Sequence, residues 1–276
     1  MAECNHDCEN CKSKCEQQGG APDFHVDAHP LSHVEHVIGI VSGKGGVGKS
    51  LMTALTALAM QKRGHSVGIL DADITGPSIP KIFGADGMAS ASSEGILPYQ
   101  TKSGVDIMSV NLLMEDKASP VIWRGPAIAS VVKQFWSDVI WTDQEYLFVD
   151  MPPGTGDVPL TVFQSLPLDG IIVVASPQDL VSLIVEKAVR MAREMNIHIL
   201  GVIENMSYLE CSKCGEKNYL FGHGNTKEVA EKYGVEFLGE IPIIPEIAAL
   251  CDAGNIGYYD AEFMTKTCEA LEKLGN

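Results

Sequence analysis

His36-Val-Ile-Gly-Ile-Val-Ser42 runs directly into Gly43-Lys44-Gly45-Gly46-Val47-Gly48-Lys49-Ser50, and this stretch decides the fold. The apolar run reads as a buried strand, and Ser50 to Arg63, closed by Gly64, reads as a helix. Between them lies the pattern G-x-x-x-x-G-K-[ST], in the strand–loop–helix setting that binds phosphate. Gly43, Gly45, Gly46 and Gly48 let the backbone curl until successive N–H groups, Val47 among them, face phosphate oxygens. The N-terminal end of the helix adds its positive dipole. Lys49 is placed to reach the β- and γ-phosphates, and the Ser50 hydroxyl to bind Mg²⁺. Turn chemistry alone explains neither Lys44 nor Lys49.

Outward from this loop, short apolar runs alternate with longer amphipathic stretches. Further strands are expected at Val67 to Leu70, Tyr146 to Val149, Ile171 to Ala175, Ile199 to Ile203 and Phe237 to Ile241, with helices near 126–137, 179–195, 226–233 and 260–274. Continuous apolar strands separated by helices predict an α/β fold, a doubly wound and mostly parallel sheet covered on both faces. The reading is one domain over residues 35–276 behind a Cys-rich tail and polar linker at 1–34. Asp150 follows an apolar strand, where a carboxylate can hold Mg²⁺ through water. Asp71 and Asp73 follow the second strand at the same sheet edge, where an acid can orient an attacking water.

The 276 residues carry 20 Lys plus Arg against 36 Asp plus Glu, a formal charge of −16, with 45% hydrophobic and 20% charged residues. That is the balance of a soluble globular protein. The acidic surplus argues against a nucleic-acid partner, because phosphate neutralisation needs a basic face. No apolar run approaches the roughly 20 residues of a membrane span. The opening Met-Ala-Glu-Cys carries no basic region or apolar stretch of a secretory signal, so a cytoplasmic location is expected.

Eight cysteines are present. Cys4, Cys8, Cys11 and Cys15 crowd the N-terminus, Cys211 and Cys214 form a Cys-x-x-Cys pair, and Cys251 and Cys268 stand apart on apolar helical stripes as buried small hydrophobes. Close clusters in a reducing compartment read as metal ligands. His25, His29, His33 and His36 lie at nearly helical spacing, but Pro30 breaks that helix, and a polar linker is expected there. Two thiolates bind one metal or one cluster edge, whereas a closed site requires four ligands. A symmetric homodimer supplies two pairs across its axis, which points to a bridging [4Fe–4S] cluster. A zinc knuckle completed by dimerisation is the alternative. A thioredoxin-like redox pair should open a helix to lower its thiol pKa, and this pair precedes none directly. The tail's four cysteines suffice for a cluster or zinc ion of their own.

Lys44, after the first glycine of the loop, is the signature lysine of a deviant Walker A motif, and here the chain resembles the MinD/ParA/nitrogenase-iron-protein superfamily, of the SIMIBI class. Asp71-Ala-Asp-Ile-Thr-Gly-Pro-Ser78, Trp123-Arg-Gly-Pro126, Asp150-Met-Pro-Pro-Gly-Thr-Gly-Asp157 and Glu204-Asn-Met-Ser207 with the following Cys-x-x-Cys narrow the resemblance to the Mrp/ApbC iron–sulfur carrier ATPases. The resemblance implies a homodimer in which Lys44 reaches the partner's nucleotide, Asp73 positions the water, Asp150 binds the Mg²⁺ shell and Asn205 hydrogen-bonds the adenine of ATP. It implies that residues 150–157 sense the γ-phosphate and that clusters pass to apoprotein recipients. A MinD/ParA-like positioning ATPase with structural zinc on the cysteine pair is the second reading, and a nitrogenase-reductase-like electron donor the third. The positioning role would need a basic amphipathic C-terminal helix, whereas Asp260 to Leu274 is acidic. Relatives usually carry a second Ser or Thr after Ser50; Leu51 stands there, so a weakened α-phosphate contact and slow turnover are expected.

Overall fold

The structure is a computed structural model that describes residues 25–114, 125–154, 156–177 and 181–275. Cys4, Cys8, Cys11 and Cys15, and the Trp123-Arg124 half of one motif, lie outside the described residues.

The elements follow in order β1 (Val34–Ser42), α1 (Lys49–Lys62), β2 (Val67–Asp71), α2 (Ile79–Phe83), β3 (Ser90–Ala91), β4 (Ile96–Leu97), β5 (Tyr99–Gln100), β6 (Asp106–Met108) and α3 (Gly125–Ser137). The second half comprises β7 (Gln144–Asp150), α4 (Asp157–Ser165), β8 (Gly170–Ala175), α5 (Val181–Glu194), β9 (His198–Glu204), β10 (Leu209–Glu210), β11 (Lys217–Asn218), α6 (Thr226–Tyr233), β12 (Phe237–Glu240), α7 (Pro245–Asp252) and α8 (Thr265–Glu272). Eight strands form one sheet in the order β12-β9-β8-β1-β7-β2-β6-β5, parallel except for the edge pair β5–β6.

Side chains alternate across each strand, so β1 sends Ile38 and Ile40 to one face and Val37 and Val41 to the other. The first face packs on α1, α2, α7 and α8; the second packs on α3, α4, α5 and α6. With both faces covered, the central residues 37–41 of β1, 67–70 of β2 and 146–149 of β7, and all of β8, carry no charged side chain, which is why they read as continuous apolar runs in the sequence. All the parallel strands deliver their C-terminal ends to one edge, and the loops that leave this edge build the site.

Two boundaries differ from the sequence expectation. The stretch read as linker up to residue 34 is sewn onto the domain from Val26 onward. Val26 N–H donates to Ser165 O (3.0 Å), Trp136 Nε1 donates to Val26 O (2.8 Å), and His33 N–H donates to Trp141 O (2.9 Å). The Ser32 hydroxyl adds to these, donating to Val139 O (3.1 Å) and accepting from Trp141 N–H (2.8 Å), while Val26 and Ala28 pack on the core. The last helix is also shorter than 260–274, since residues 262–264 and 273–275 form separate 3₁₀ turns around α8. No helix among the described residues is long and apolar enough to cross a membrane.

Cys268 on α8 is buried in the first core face, as its apolar stripe predicts, and burial pushes its thiol up to about 11. Folding therefore favours the protonated thiol. Its contribution is complete below the unfolded-chain value of about 8.5 and fades as pH rises through about 11. At pH 8 iodoacetamide is expected to label Cys214 in the folded protein and Cys268 only after denaturation. Mass mapping of native-labelled Cys268 would contradict this assignment.

Candidate functional site

The glycine-rich loop leaves β1 and enters α1 through Gly48, the N-cap residue, which holds φ 82°. Gly46 also holds φ 82°. Both lie in the left-handed region that a β-carbon disfavours, so the tight curl of the loop depends on glycine. A cleft of about 250 Å³ lies over the loop. It is lined by Lys44, Gly45, Gly46, Gly48, Lys49, Ser50 and Leu51 together with Ser42, Asp73, Ser78, Ile82 and Pro153. Lys44 is exposed at its rim. Leu51 lines the cleft and also packs against the core.

At the floor, Lys49 Nζ donates to Asp150 Oδ1 at 2.7 Å and lies 3.8 Å from Asp73 Oδ2. Ser50 Oγ donates to Asp150 Oδ2 at 2.5 Å. Thus Lys49, Ser50, Asp73 and Asp150, drawn from three separate segments, lie together at the floor of the cleft. The Ser50 and Asp150 oxygens are hard donors of the kind Mg²⁺ takes. Parallel register sets Asp71 opposite Asp150 on adjacent strands. Asp71 is nevertheless fully buried, with Oδ2 accepting from Ser109 Oγ at 3.0 Å and Oδ1 accepting from Asp73 N–H at 3.2 Å. It braces the loop that carries Asp73 and does not line the cleft. Burial, reinforced by the Asp150 charge, holds its carboxyl well above the usual range. Burial also raises Asp73, with Lys49 opposing the shift.

Thr53 was not singled out in the sequence. It sits one helical turn after Lys49, fully buried, and its Oγ1 donates to Asp150 Oδ1 at 2.8 Å. Its signal was spacing: residues four apart share a helix face, so the turn after the loop lysine looks at the same carboxylate. Thr53→Val leaves the volume and removes the donor. Urea unfolding is expected to show a loss of about 1–2 kcal/mol, largely restored by Thr53→Ser; an unchanged midpoint would refute the contact's contribution.

Asn205 follows β9 and is buried beneath the loop. Its Nδ2 donates to Val47 O at 2.8 Å and occupies the space a side chain on Gly48 would need. The structure therefore places it as a support of the phosphate loop.

The cysteine pair lies at the same sheet edge. β10 and β11 pair antiparallel, Leu209 opposite Asn218 and Glu210 opposite Lys217, and the turn between them carries Cys211 and Cys214. Cys211 N–H donates to Glu216 O (2.9 Å), Gly215 N–H donates to Cys211 O (2.8 Å), and Gly215 holds φ 73°. Hydrogen bonds from the backbone N–H groups of Lys213 and Cys214, then from the Cys214 side chain, hold the Cys211 thiol below its usual range. Amides aimed at sulfur favour thiolate, the form that ligates metal. The Lys217 ammonium lies 3.9 Å from the Tyr208 ring centre, and Tyr208 meets Tyr219, bracing the hairpin. Cys214 is exposed and Cys211 half-buried. Among the described residues no group of three or more His, Cys, Asp or Glu is placed to hold a metal ion, so within them the pair has two ligands and not four.

Residues 33–275 match the family described as ParA: NUBPL iron-transfer P-loop NTPase. An iron-sulfur cluster carrier protein of Clostridium perfringens is 44% identical over 238 residues, covering 83% of this chain and 84% of the relative. A nucleotide-binding protein of Archaeoglobus fulgidus, solved in complex with ADP, is 43% identical with a TM-score of 0.76, covering 83% of this chain and 90% of that one. The cell division ATPase MinD of Pyrococcus furiosus, at 20% identity and TM-score 0.59 over 87% of this chain and 99% of its own, shares the fold. A phosphate loop, its convergent acids and a paired-cysteine hairpin at one sheet edge thus accompany a match over nearly the whole described chain, and the protein belongs to the iron-transfer P-loop NTPase family.

Proposed function

We propose that the protein is an ATP-hydrolysing carrier that binds a [4Fe–4S] cluster between two copies of the chain and transfers it to apoproteins. The observation that carries this reading is the cysteine hairpin: two accessible thiols, one held below its usual range by backbone amides, with half the ligands a closed site requires among the described residues. A two-fold axis supplies the other half. The carrier relatives support iron–sulfur cargo over the structural zinc of a positioning ATPase. A cluster held by two half-sites at an exposed turn is suited to release.

On the nucleotide side, the loop amides and Lys49 would bind the β- and γ-phosphates, and Ser50 and Asp150 would hold Mg²⁺, which supplies charge neutralisation on the phosphates. Asp73 would orient the water, and Lys44, at the cleft rim, would reach the partner's nucleotide. Residues 150–157 carry Asp150 at one end and Pro153 in the cleft wall, which supports a segment with two arrangements set by the γ-phosphate. Iron, sulfide and zinc analysis of anaerobically purified protein tests the reading. About two irons and two sulfides per chain from a bridging [4Fe–4S] cluster are expected, and stoichiometric zinc without sulfide would overturn it.

A further inference from the structure

β9 ends on Glu204, whose side chain is buried at the point where the chain leaves the sheet to form the cysteine hairpin. Ser207 Oγ donates to Glu204 Oε1 at 2.7 Å, and Thr226 Oγ1 donates to Oε2. Ser207 lies where the excursion begins, and Thr226 is the first residue of α6, where it ends. One carboxylate therefore clasps both ends of the segment that bears Cys211 and Cys214. Gly224 packs so closely that a β-carbon there would overlap this carboxylate.

The next two residues face the phosphate loop. Asn205 donates to Val47 O, and the Met206 methyl lies 3.7 Å from the β-carbon position of Gly48. Met206 itself holds φ 58°, a left-handed conformation uncommon for a residue with a side chain. Strain of this kind persists only where neighbours impose it. Here Asn205 N–H donates to Ala175 O (2.8 Å) and Ser207 N–H donates to Ile241 O (3.0 Å), pinning the backbone on both sides. No step of the phosphate chemistry employs Glu204.

We propose that Glu204 is a positioning residue that couples the phosphate loop to the cysteine pair: a displacement of Val47 on phosphate binding passes through Asn205 and Met206 to the clasped neck and re-aims Cys211 and Cys214 as a unit. This deepens the reading of the pair as the cluster-holding group and rests on it.

The test uses the full-length chain, reduced and stripped of metal, with alkylation of Cys211 and Cys214 by iodoacetamide followed by mass spectrometry. Rates are compared with and without saturating magnesium and a non-hydrolysable ATP analogue. In the wild type the rate at the pair is expected to change about fivefold or more, the lower end of coupling between sites. Glu204→Gln and Thr226→Val are expected to abolish most of that change, and Thr226→Ser to keep it. Should Glu204→Gln not fold, Thr226→Val and Ser207→Ala each open one side of the clasp. A merely structural role would lower the melting temperature and leave the nucleotide dependence intact, which would overturn the proposal. So would a wild-type pair indifferent to the nucleotide. The labelling needs no cluster, so failure of the carrier reading registers separately, in the iron and sulfide content.

Discussion

Cys211→Ala and Cys214→Ala chains, reconstituted anaerobically with iron and sulfide, are expected to lose the bridging [4Fe–4S] cluster completely, because each substitution deletes two of its four ligands at once, one from each copy. A partial loss is not expected, because two thiols disappear from a set of four. The fold should survive, since the pair lies on a surface turn with one residue exposed and the other half-buried. Iron absorbance, bound sulfide and far-UV circular dichroism on the same samples check all three points. If the tail cysteines hold a cluster of their own, these variants retain the tail's iron, which Cys8→Ala removes. Wild-type iron in both hairpin variants would place the cargo elsewhere.

Lys49→Ala carries the second large effect. Its ammonium is nearly buried and bonded to Asp150 at 2.7 Å, so the loop lysine and the strand-end acid form one unit. Removing it deletes the cation aimed at the phosphates. Loss of one preorganised charge at the reacting group costs at least about 10²-fold in kcat, and hydrolysis is expected to fall to background. Asp150 is also left buried without its partner, which costs up to about 3–5 kcal/mol of stability where no proton compensates. Thermal unfolding must therefore accompany the assay, and activity is compared only below the variant's own transition. Cluster loading should be largely intact, because no hairpin contact passes through Lys49, while delivery to an apoprotein is impaired. Unchanged turnover in a folded Lys49→Ala protein would contradict the assigned role.

The sequence was most legible where one local rule acts without competition. Strands buried on both faces read as apolar runs, and the glycine loop can occupy only a strand-to-helix turn. Lys49 and Ser50 followed from the loop pattern and Asp150 from its place at a strand end, and the three meet in the structure. Less legible were features set by partners far away in the chain. Asp71 and Asp73 looked alike in the sequence, yet the turn after β2 buries one against Ser109 and leaves the other on the cleft. The edge strand β5 and its neighbour β6 span two and three residues, too short for any period to register. Helix α4 follows a Pro- and Gly-rich segment that reads as loop throughout. Glu204 did carry a signal, an acid terminating an apolar strand as Asp71 and Asp150 do. Its hydroxyl partners Ser207 and Thr226 meet only once the hairpin between them has folded back.

The central claim is that two chains pool their cysteine pairs on one cluster. Native mass spectrometry of the anaerobically reconstituted protein, with magnesium and a non-hydrolysable ATP analogue present, weighs the assembly and its cargo together. A species of two chains carrying a single [4Fe–4S] on the hairpins is expected, and Cys214→Ala should lose the mass of that cluster. A single chain holding an intact cluster on Cys211 and Cys214 under the same conditions would contradict it.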